Sequence, residues 1–467
     1  MAQISILKGI YADGMAEYRT SYPRNMLPVP KKNGISAGYL KQAEGIVSFG
    51  TGTGIDRGGI VWNGLHYRVM GTKLVTVSAT GVVAVLGDVG PGPQVSLDYS
   101  FVNLIIGSGG RMYYWDGATL TLITDPDLGN VVDCLWLSGY TISTDGTYIV
   151  VSDIATPTAF DPLKYGSSEA NPDPIVALRD FRKELYALNR YTIEVFSNVG
   201  GSGFPFAPID GAQITKGCVG TNAACFIAET LAFMGSGVKE AIAIYIGSGG
   251  KALKVSDDEI EKRISAYTED ELALCLLETR KFDNRELLYV HLPRETWVYD
   301  ITASQQFEEP IWYSLHSDAA AENNYRAKNF VFAYNKWYCG DKTTFDIGRM
   351  DDTVTTQYGE IVGWRFDTTY LYNASKGAII HSLELVNTAG NAVAGTNPGV
   401  FFSWTKDGRT WSDEIVAGLG QQGDYGARTA WQQAAVMDNY LGLRFRGADT
   451  CPSGFARLEA QVEALYV

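Results

Sequence analysis

Charge is scarce in this chain, and histidine scarcer still. Asp, Glu, Lys and Arg make up 19% of its 467 residues, and there are four histidines. His66, His291, His316 and His381 stand far apart, each inside strand-like sequence, so neither an H-x-x-x-H zinc pair nor a Cys–His dyad at a recognised spacing exists. The six cysteines (Cys134, Cys218, Cys225, Cys275, Cys339, Cys451) include no C-x-x-C pair, and free thiols in a reducing compartment are the preferred reading. No window approaches 18 consecutive apolar residues, which excludes a helical membrane span. The start, Met1-Ala2-Gln3-Ile4-Ser5, lacks the charged beginning and apolar run of a signal peptide, so synthesis in a cytoplasm is expected. Basic runs interleaved with aromatics are absent as well, and the net charge is −14. A field of that sign repels phosphate and argues against gripping nucleic acid by charge neutralisation.

What the chain does have is glycine, at 51 residues, with aromatics at 12%. Glycine well above the usual ~7%, among β-branched and aromatic residues, predicts tight turns joining many short strands. The length exceeds a single core, so two or three domains are expected. From about 59 to 365 a loose unit recurs, as in HYRVMGTKLVTVSATG, LIIGSGGRMYYWDGAT and LYALNRYTIEVFSNVG: an apolar strand, a Gly- or Asn-centred turn, a second apolar strand. Ile106-Gly107-Ser108-Gly109-Gly110 is echoed by Ile246-Gly247-Ser248-Gly249-Gly250, 140 residues on, which fits four units of roughly 35 residues against the ~40–50 of propeller blades. Six or seven such units make a β-propeller the economical arrangement, with stacked sandwiches as the competitor. From 366 to 467 longer alternating strands, such as GVFFSWTKDGRTWSDE and FARLEAQVEALYV, predict a small β-sandwich, with a hairpin turn at Lys406-Asp407-Gly408-Arg409. Residues 1–58 read as an extended arm, because Pro23, Pro28 and Pro30 forbid a regular helix or a central strand. The fold expected is therefore all-β: an arm, a propeller-like repeat domain and a C-terminal sandwich.

One stretch breaks the strand pattern. Ser256 with Glu259 has capping-box spacing and Ile260 and Ile264 follow one turn apart; Thr268 with Glu271 repeats the device, with Leu272, Cys275, Leu276 and Thr279 at helical spacing. This predicts a small helical insertion at 256–280, after which strand periodicity returns at Leu287–Val290 and Thr296–Tyr299.

Several apparent sites dissolve on inspection. Gly247-Ser248-Gly249-Gly250-Lys251 has Tyr245 and Ala252 where a Walker loop needs glycine and Ser or Thr, so it reads as a hairpin turn. Asp125, Asp127 and Gly129 begin like a calcium loop, but the twelfth position is Trp136 instead of a bidentate glutamate. Thr405-Lys406-Asp407-Gly408-Arg409-Thr410-Trp411 resembles an Asp-box of sialidase propellers, yet lacks one residue and occurs once. A glycosidase needs two facing carboxylates, and nothing in the sequence places Glu278, Asp283 or Glu286 that way. The many tyrosines and tryptophans read as inter-blade packing before they read as a sugar-stacking surface. No catalytic residue, cofactor or metal is expected.

The run from 260 to 300 also carries a family likeness. Ile260-Glu261-Lys262, Tyr267-Thr268, Glu278-Thr279, Phe282-Asp283, Glu286-Leu287-Leu288, His291-Leu292-Pro293-Arg294 and Val298-Tyr299-Asp300 stand in an order that resembles the tail hub, or packaged-DNA stabilisation, proteins of short-tailed phages. Tyr22-Pro23, Asn25-Met26-Leu27, Gly38-Tyr39-Leu40, Arg57-Gly58, Tyr67-Arg68-Val69 and Lys73-Leu74 extend the likeness, while the last hundred residues contribute mainly Thr405, Asp407 and Gly408. The resemblance implies a non-enzymatic virion protein, assembled in the host cytoplasm as a homo-hexamer beneath the portal and its adaptor. It also implies tailspike trimers and a tail needle as partners, with double-stranded DNA passing through without specific binding. Because neither the arm nor the helix pair belongs to the repeated unit, Tyr22, Pro23, Asn25, Met26, Leu27, Ile260, Glu261, Lys262, Tyr267 and Glu271 are the expected contacts with a neighbouring subunit or the adaptor. A carbohydrate-binding or glycan-hydrolysing propeller is the alternative.

Overall fold

Short strands with glycine corners resolve into seven four-stranded antiparallel sheets among the described residues of a computed structural model, which cover 2–12, 17–31, 34–169 and 171–465. Blades 1 to 6 take consecutive runs of four strands, at 56–88, 96–122, 133–167, 175–208, 224–254 and 276–315. Blade 7 takes three strands from 327–351 and borrows its fourth, Gly45–Thr51, from far upstream. That strand pairs antiparallel with Asp346–Asp351 and fastens the end of the ring to its beginning. The first strands touch around the axis: Asp56–Trp62 meets Ser96–Tyr99, then Asp133–Leu137, then Ile175–Phe181, while Ala224–Ile227 meets Leu276–Phe282, then Ala327–Ala333, which returns to Asp56–Trp62. Radial closure leaves only short edges for stray pairing.

The glycine echo turns out to be turn chemistry, not blade period. Gly109-Gly110 joins the second and third strands of blade 2, whereas Gly249-Gly250 joins the third and fourth of blade 5. Both pairs hold nearly equal positive φ, 57° and 79° against 59° and 81°, as a tight turn matched to strand twist requires.

The helical insertion occupies the connection between blades 5 and 6. Helix α1 spans Asp258–Ile264 and α2 spans Glu269–Ala273. The cap of α1 is Asp257, one residue later than the spacing suggested, because Ser256 Oγ instead accepts the Ile244 N–H at 3.1 Å. The Thr268–Glu271 capping box is present. Helical spacing runs on to Thr279, but Leu276–Phe282 is a strand, paired residue for residue with Arg285–His291; the tertiary ladder overrides the local pattern.

The second domain stacks two sheets. One is ordered Thr429–Met437, Ala378–Asn387, Gly454–Ala464, Gly38–Gln42, Met26–Pro30, with Ala2–Ile4 also on Gly454–Ala464. The other is Trp364–Asp367, Tyr440–Gly447, Gly399–Thr405, Ile415–Gly418, with Leu371–Tyr372 beside Tyr440–Gly447. Trp364, Phe366, Phe402, Trp431, Phe445 and Phe455 interlock between them at ring distances of 4.8–5.9 Å, each buried ring contributing about 2–3 kcal/mol. Lys406–Arg409 lies in a longer loop than a hairpin turn: Asp407 accepts the Arg409 and Thr410 N–H groups at 2.8 Å each.

Residues 1–58, read from sequence as one extended arm, are distributed over both domains. Gly38–Gln42 and Met26–Pro30 belong to the sandwich, Gly45–Thr51 to blade 7, and Gly9–Ala12 with Tyr18–Ser21 forms a separate hairpin. Met1, 13–16 and 32–33 of that stretch, and Tyr466-Val467 of the run FARLEAQVEALYV, lie outside the described residues. Pro28 and Pro30 stand on an edge strand, where a missing N–H leaves no ladder bond unmade.

Candidate functional site: the domain junction and the propeller axis

Tyr22 to Leu27 runs between the two domains and enters a different core at successive steps. Tyr22 is buried among blades 4 to 6, edge-on to Trp297 at 5.9 Å, with its hydroxyl donating to Asp257. The carbonyl of Pro23 accepts the Ser314 N–H at 3.0 Å, and Arg24 exchanges backbone hydrogen bonds with Arg365 of the sandwich. Asn25 sits at φ +53°, a conformation Asn tolerates. Its Nδ2 donates to the Gly363 carbonyl and its Oδ1 accepts the His316 N–H, both at 2.7 Å. Met26 enters the sandwich core and Leu27 the core of blades 6 and 7. All five expected contact residues here are buried within the chain, where they fasten propeller to sandwich.

The helix pair lies against the same segment. Glu259, buried, accepts Arg19 through Nε at 2.7 Å and Nη2 at 2.6 Å, and Arg263 Nε at 3.0 Å. Lys262 pairs with Glu17, and Glu261 with Lys254 at 2.7 Å. Ile260 is packed in the core of blades 4 to 6. Tyr267 donates to Glu295 at 3.3 Å beneath the Arg294 guanidinium, and Glu271 closes the α2 cap. The structure thus brings the two non-repeated segments onto one surface. Sequence marked each but not their meeting, since Arg19 and Glu259 are 240 positions apart.

Around the axis the seven first strands and their approaches enclose a cavity of about 300 Å³, faced by Asp98, Asp133, Asp180 and Glu278. Three of these carboxylates stitch blades together. Asp98 accepts the Tyr99 N–H at 2.8 Å and, from blade 3, the Trp136 N–H at 2.7 Å. Asp133 accepts the Leu178 N–H at 2.9 Å and Arg179 at 2.8 Å, and Arg179 continues to the Thr221 and Ala224 carbonyls before blade 5 and at its start. Glu278 accepts the Asn329 and Phe330 N–H groups of blade 7 at 2.9 and 2.6 Å. Asn329 then donates to Asp56, which forms a fully buried 2.7 Å pair with Arg68 and closes the circle at blade 1. Burial, reinforced by the charges of Asp180 and Asp133, pushes the Asp98 carboxyl up to about 6. These stitching residues were missed in the sequence; the available signal was an acidic residue recurring on the opening strands, in SLDY, VVDCL, LRDF and LLET.

One constellation has the form of a nucleophile relay: His291 lies 2.7 Å from Glu278 and 3.2 Å from the Thr296 hydroxyl. Thr296 is wholly buried, its oxygen also accepting from Lys342 and donating to Asn324 at 3.0 Å each, so no substrate reaches it. Burial holds the His291 imidazole down to about 4, leaving a neutral structural hydrogen bond. Asp125 serves a turn, accepting the Asp127 and Phe160 N–H groups at 3.0 Å each. Among the described residues no group of three His, Cys, Asp or Glu is placed to hold a metal, and no helix is long and apolar enough to cross a membrane.

Comparison with known proteins matches this geometry domain by domain. The family model described as Bacteriophage P22 Gp10, beta-propeller, matches residues 2–355, and that described as Bacteriophage P22 Gp10, beta-sandwich, matches 363–463. The tail hub protein gp10 of Salmonella phage P22 is 28% identical over 483 residues, covering 99% of each chain. Among solved structures, the chain is similar to the Pan2 WD40 domain of Neurospora crassa (8% identity, 66% of this chain and 95% of that one, TM-score 0.42) and to the N-terminal domain of Nup159 (8%, 69% and 98%, 0.40). With one profile over the propeller and another over the sandwich, the chain belongs to the P22 Gp10 family of phage tail-hub structural proteins, which is not a family of enzymes.

Proposed function

We propose that six copies of this chain form a ring beneath the portal and its adaptor and close the channel, so that packaged double-stranded DNA stays in the head until ejection. The ring also holds tailspike trimers at its side and receives the tail needle. The observation that carries this reading is the end-to-end similarity to the P22 tail hub, which includes both domains and their connection. The chemistry agrees with it. A net charge of −14 suits a passage along which DNA slides without adhering. Closed sheets with many loops offer separate faces to several partners. Contact with a neighbour or the adaptor falls to the outer side of the helix pair, at Glu261, Lys262, Tyr267 and Glu271, backed by the buried segment from Tyr22 to Leu27. The mechanism is docking and plugging, with no bond made or broken. A glycan-hydrolysing propeller gains nothing from the axial acids, since Asp98, Asp133 and Glu278 are engaged with the next blade.

Electron microscopy of particles assembled without this protein tests the proposal. Heads that fill and then lose their DNA, and that retain it when the protein is added back, are the expected result. Mutant heads that keep their DNA and carry complete tails would overturn it.

A further inference from the structure

Where propeller meets sandwich, four arginines converge on one small cavity. It encloses about 120 Å³ and is lined by Arg24, Arg263, Arg365 and Arg444, with Glu295 and Asp367 as its carboxylates. Both carboxylates are already engaged. Asp367 holds Arg444 at two points, 2.7 and 2.9 Å, and accepts the Ser21 hydroxyl at 2.8 Å. Glu295 lies 3.7 Å from Arg263 and accepts the Tyr267 hydroxyl. Arg24 and Arg365 therefore share the charge of Asp367 with Arg444 and that of Glu322 with each other, so four arginines meet three carboxylates. Arg24 donates through Nη1 to the Ala321 carbonyl at 3.0 Å, and the carboxylates that act on its charge, Glu322 and Asp367, are both shared with Arg365. The nearest acid to Arg365 is Glu322, 3.8 Å away with its side chain 65% exposed. Burial, and then the neighbouring charges of Arg24 and Arg444, pull the Arg365 guanidinium down to about 10. Like charges brought this close and partly desolvated call for a counter-charge.

We propose that this cavity binds one tetrahedral oxyanion of the phosphate class, held chiefly by Arg24 and Arg365. Four arginines against Asp367, Glu295 and Glu322 leave one positive charge in excess, which an anion would balance, and the planar forks of Arg24 and Arg365 suit the oxygens of a phosphate. The hydroxyls of Thr20, Ser21 and Ser314 border the same space as further donors. A space of about 120 Å³ has room for a free ion. Arg24 comes from the N-terminal segment, Ser314 from blade 6, Arg263 from α1 and Arg365 from the sandwich. A bound anion would thus join four parts of the chain that otherwise meet across a positively charged gap. The inference is independent of the tail-hub reading and holds against the sign of the overall charge.

The test uses the purified full-length protein, titrated with inorganic phosphate in calorimetry at constant ionic strength in chloride, with thermal melts alongside. Saturable binding of one phosphate per chain is expected, with a melting temperature that rises as the site fills. Adenosine monophosphate and a short single-stranded oligonucleotide give no such response if the ligand is the free ion; tighter binding of either would overturn the free-ion assignment. Arg365→Gln should weaken phosphate binding at least tenfold yet melt no lower than wild type in chloride, because it removes the one positive charge in excess. A purely structural arginine would lower that melt. Arg428→Gln, in an exposed pair with Glu384, should leave phosphate binding unchanged. Coincident melts in phosphate and chloride, a stabilisation that never saturates, or an Arg365→Gln variant that keeps the response would each sink the proposal. Should Arg365→Gln not fold, the wild-type titration decides alone.

Discussion

His66, His291 and His316 are buried, and burial depresses each imidazole, to about 2, 4 and 4 respectively. In the unfolded chain a histidine titrates near ~6.5, so unfolding takes up protons the native state refuses. Because the folded values are lowered, the stabilisation is complete above that unfolded value and is lost as pH falls towards 4. Urea unfolding should therefore show stability falling by about 1.4 kcal/mol per pH unit for each histidine between pH 6 and 5, and His316→Gln should remove about a third of that slope. Asp98 works in the opposite sense. Its folded value is raised to about 6, so its contribution is present below the ordinary carboxylate range and lost as pH rises through 6. Asp98→Asn should accordingly steepen the acid loss measured in the same experiment. The Asp56–Arg68 pair supplies a third check, since both side chains are completely buried. Asp56→Ala strands the guanidinium and should cost about 3–5 kcal/mol at pH 7, while the double replacement Asp56→Leu with Arg68→Met should be less destabilised than the single one.

At the scale of elements, the detachable piece is the hairpin of Gly9–Ala12 and Tyr18–Ser21, which pairs with neither domain's sheets. A lone two-stranded ribbon is marginal in water, so it depends on its docking: Arg19 with Glu259 and Lys262 with Glu17 on the helix side, Ser21 with Asp367 and Ile10 with Thr368 on the sandwich side. Charge-assisted bonds of this kind contribute about 1.5–3 kcal/mol. Glu259→Gln should raise hydrogen exchange across Gly9–Ala12 and Tyr18–Ser21 tenfold or more while blades 1 to 3 exchange as before; uniform acceleration throughout the chain would contradict this. Local devices were legible in the sequence here. Thr268 with Glu271 announced its cap, because both partners lie within one turn. Asp257 did not, since Ser256 is diverted to Ile244 on a strand of blade 5. The run through Cys275 and Thr279 kept helical spacing, yet cross-strand pairing turned it into the opening strand of blade 6.

For the molecule as a whole, ring closure rests on Gly45–Thr51. A chain beginning at residue 52 loses the outer strand of blade 7 and three strands of the sandwich, exposing the edge of Asp346–Asp351. It should aggregate in size-exclusion chromatography and lose a cooperative melt. Removing Ala2–Ile4, which pairs only along a short part of Gly454–Ala464, should leave the propeller's melt unchanged. A stable monodisperse product from the longer deletion would show that closure depends on something other than this strand.

Alternation, glycine corners and the ordered run from Ile260 to Asp300 determined, from sequence alone, an all-β chain with a propeller, a sandwich and a tail-hub kinship. These are local signals, carried by residues that share a turn, a strand face or a short motif. Tertiary structure alone decided that the first 58 residues serve both domains, that several carboxylates of the opening strands stitch one blade to its neighbour, and that Arg24, Arg263, Arg365 and Arg444 meet. Spacing along a chain reports only which residues share a local face. Partners separated by tens to hundreds of positions become neighbours only when the ring closes and the sandwich folds against it.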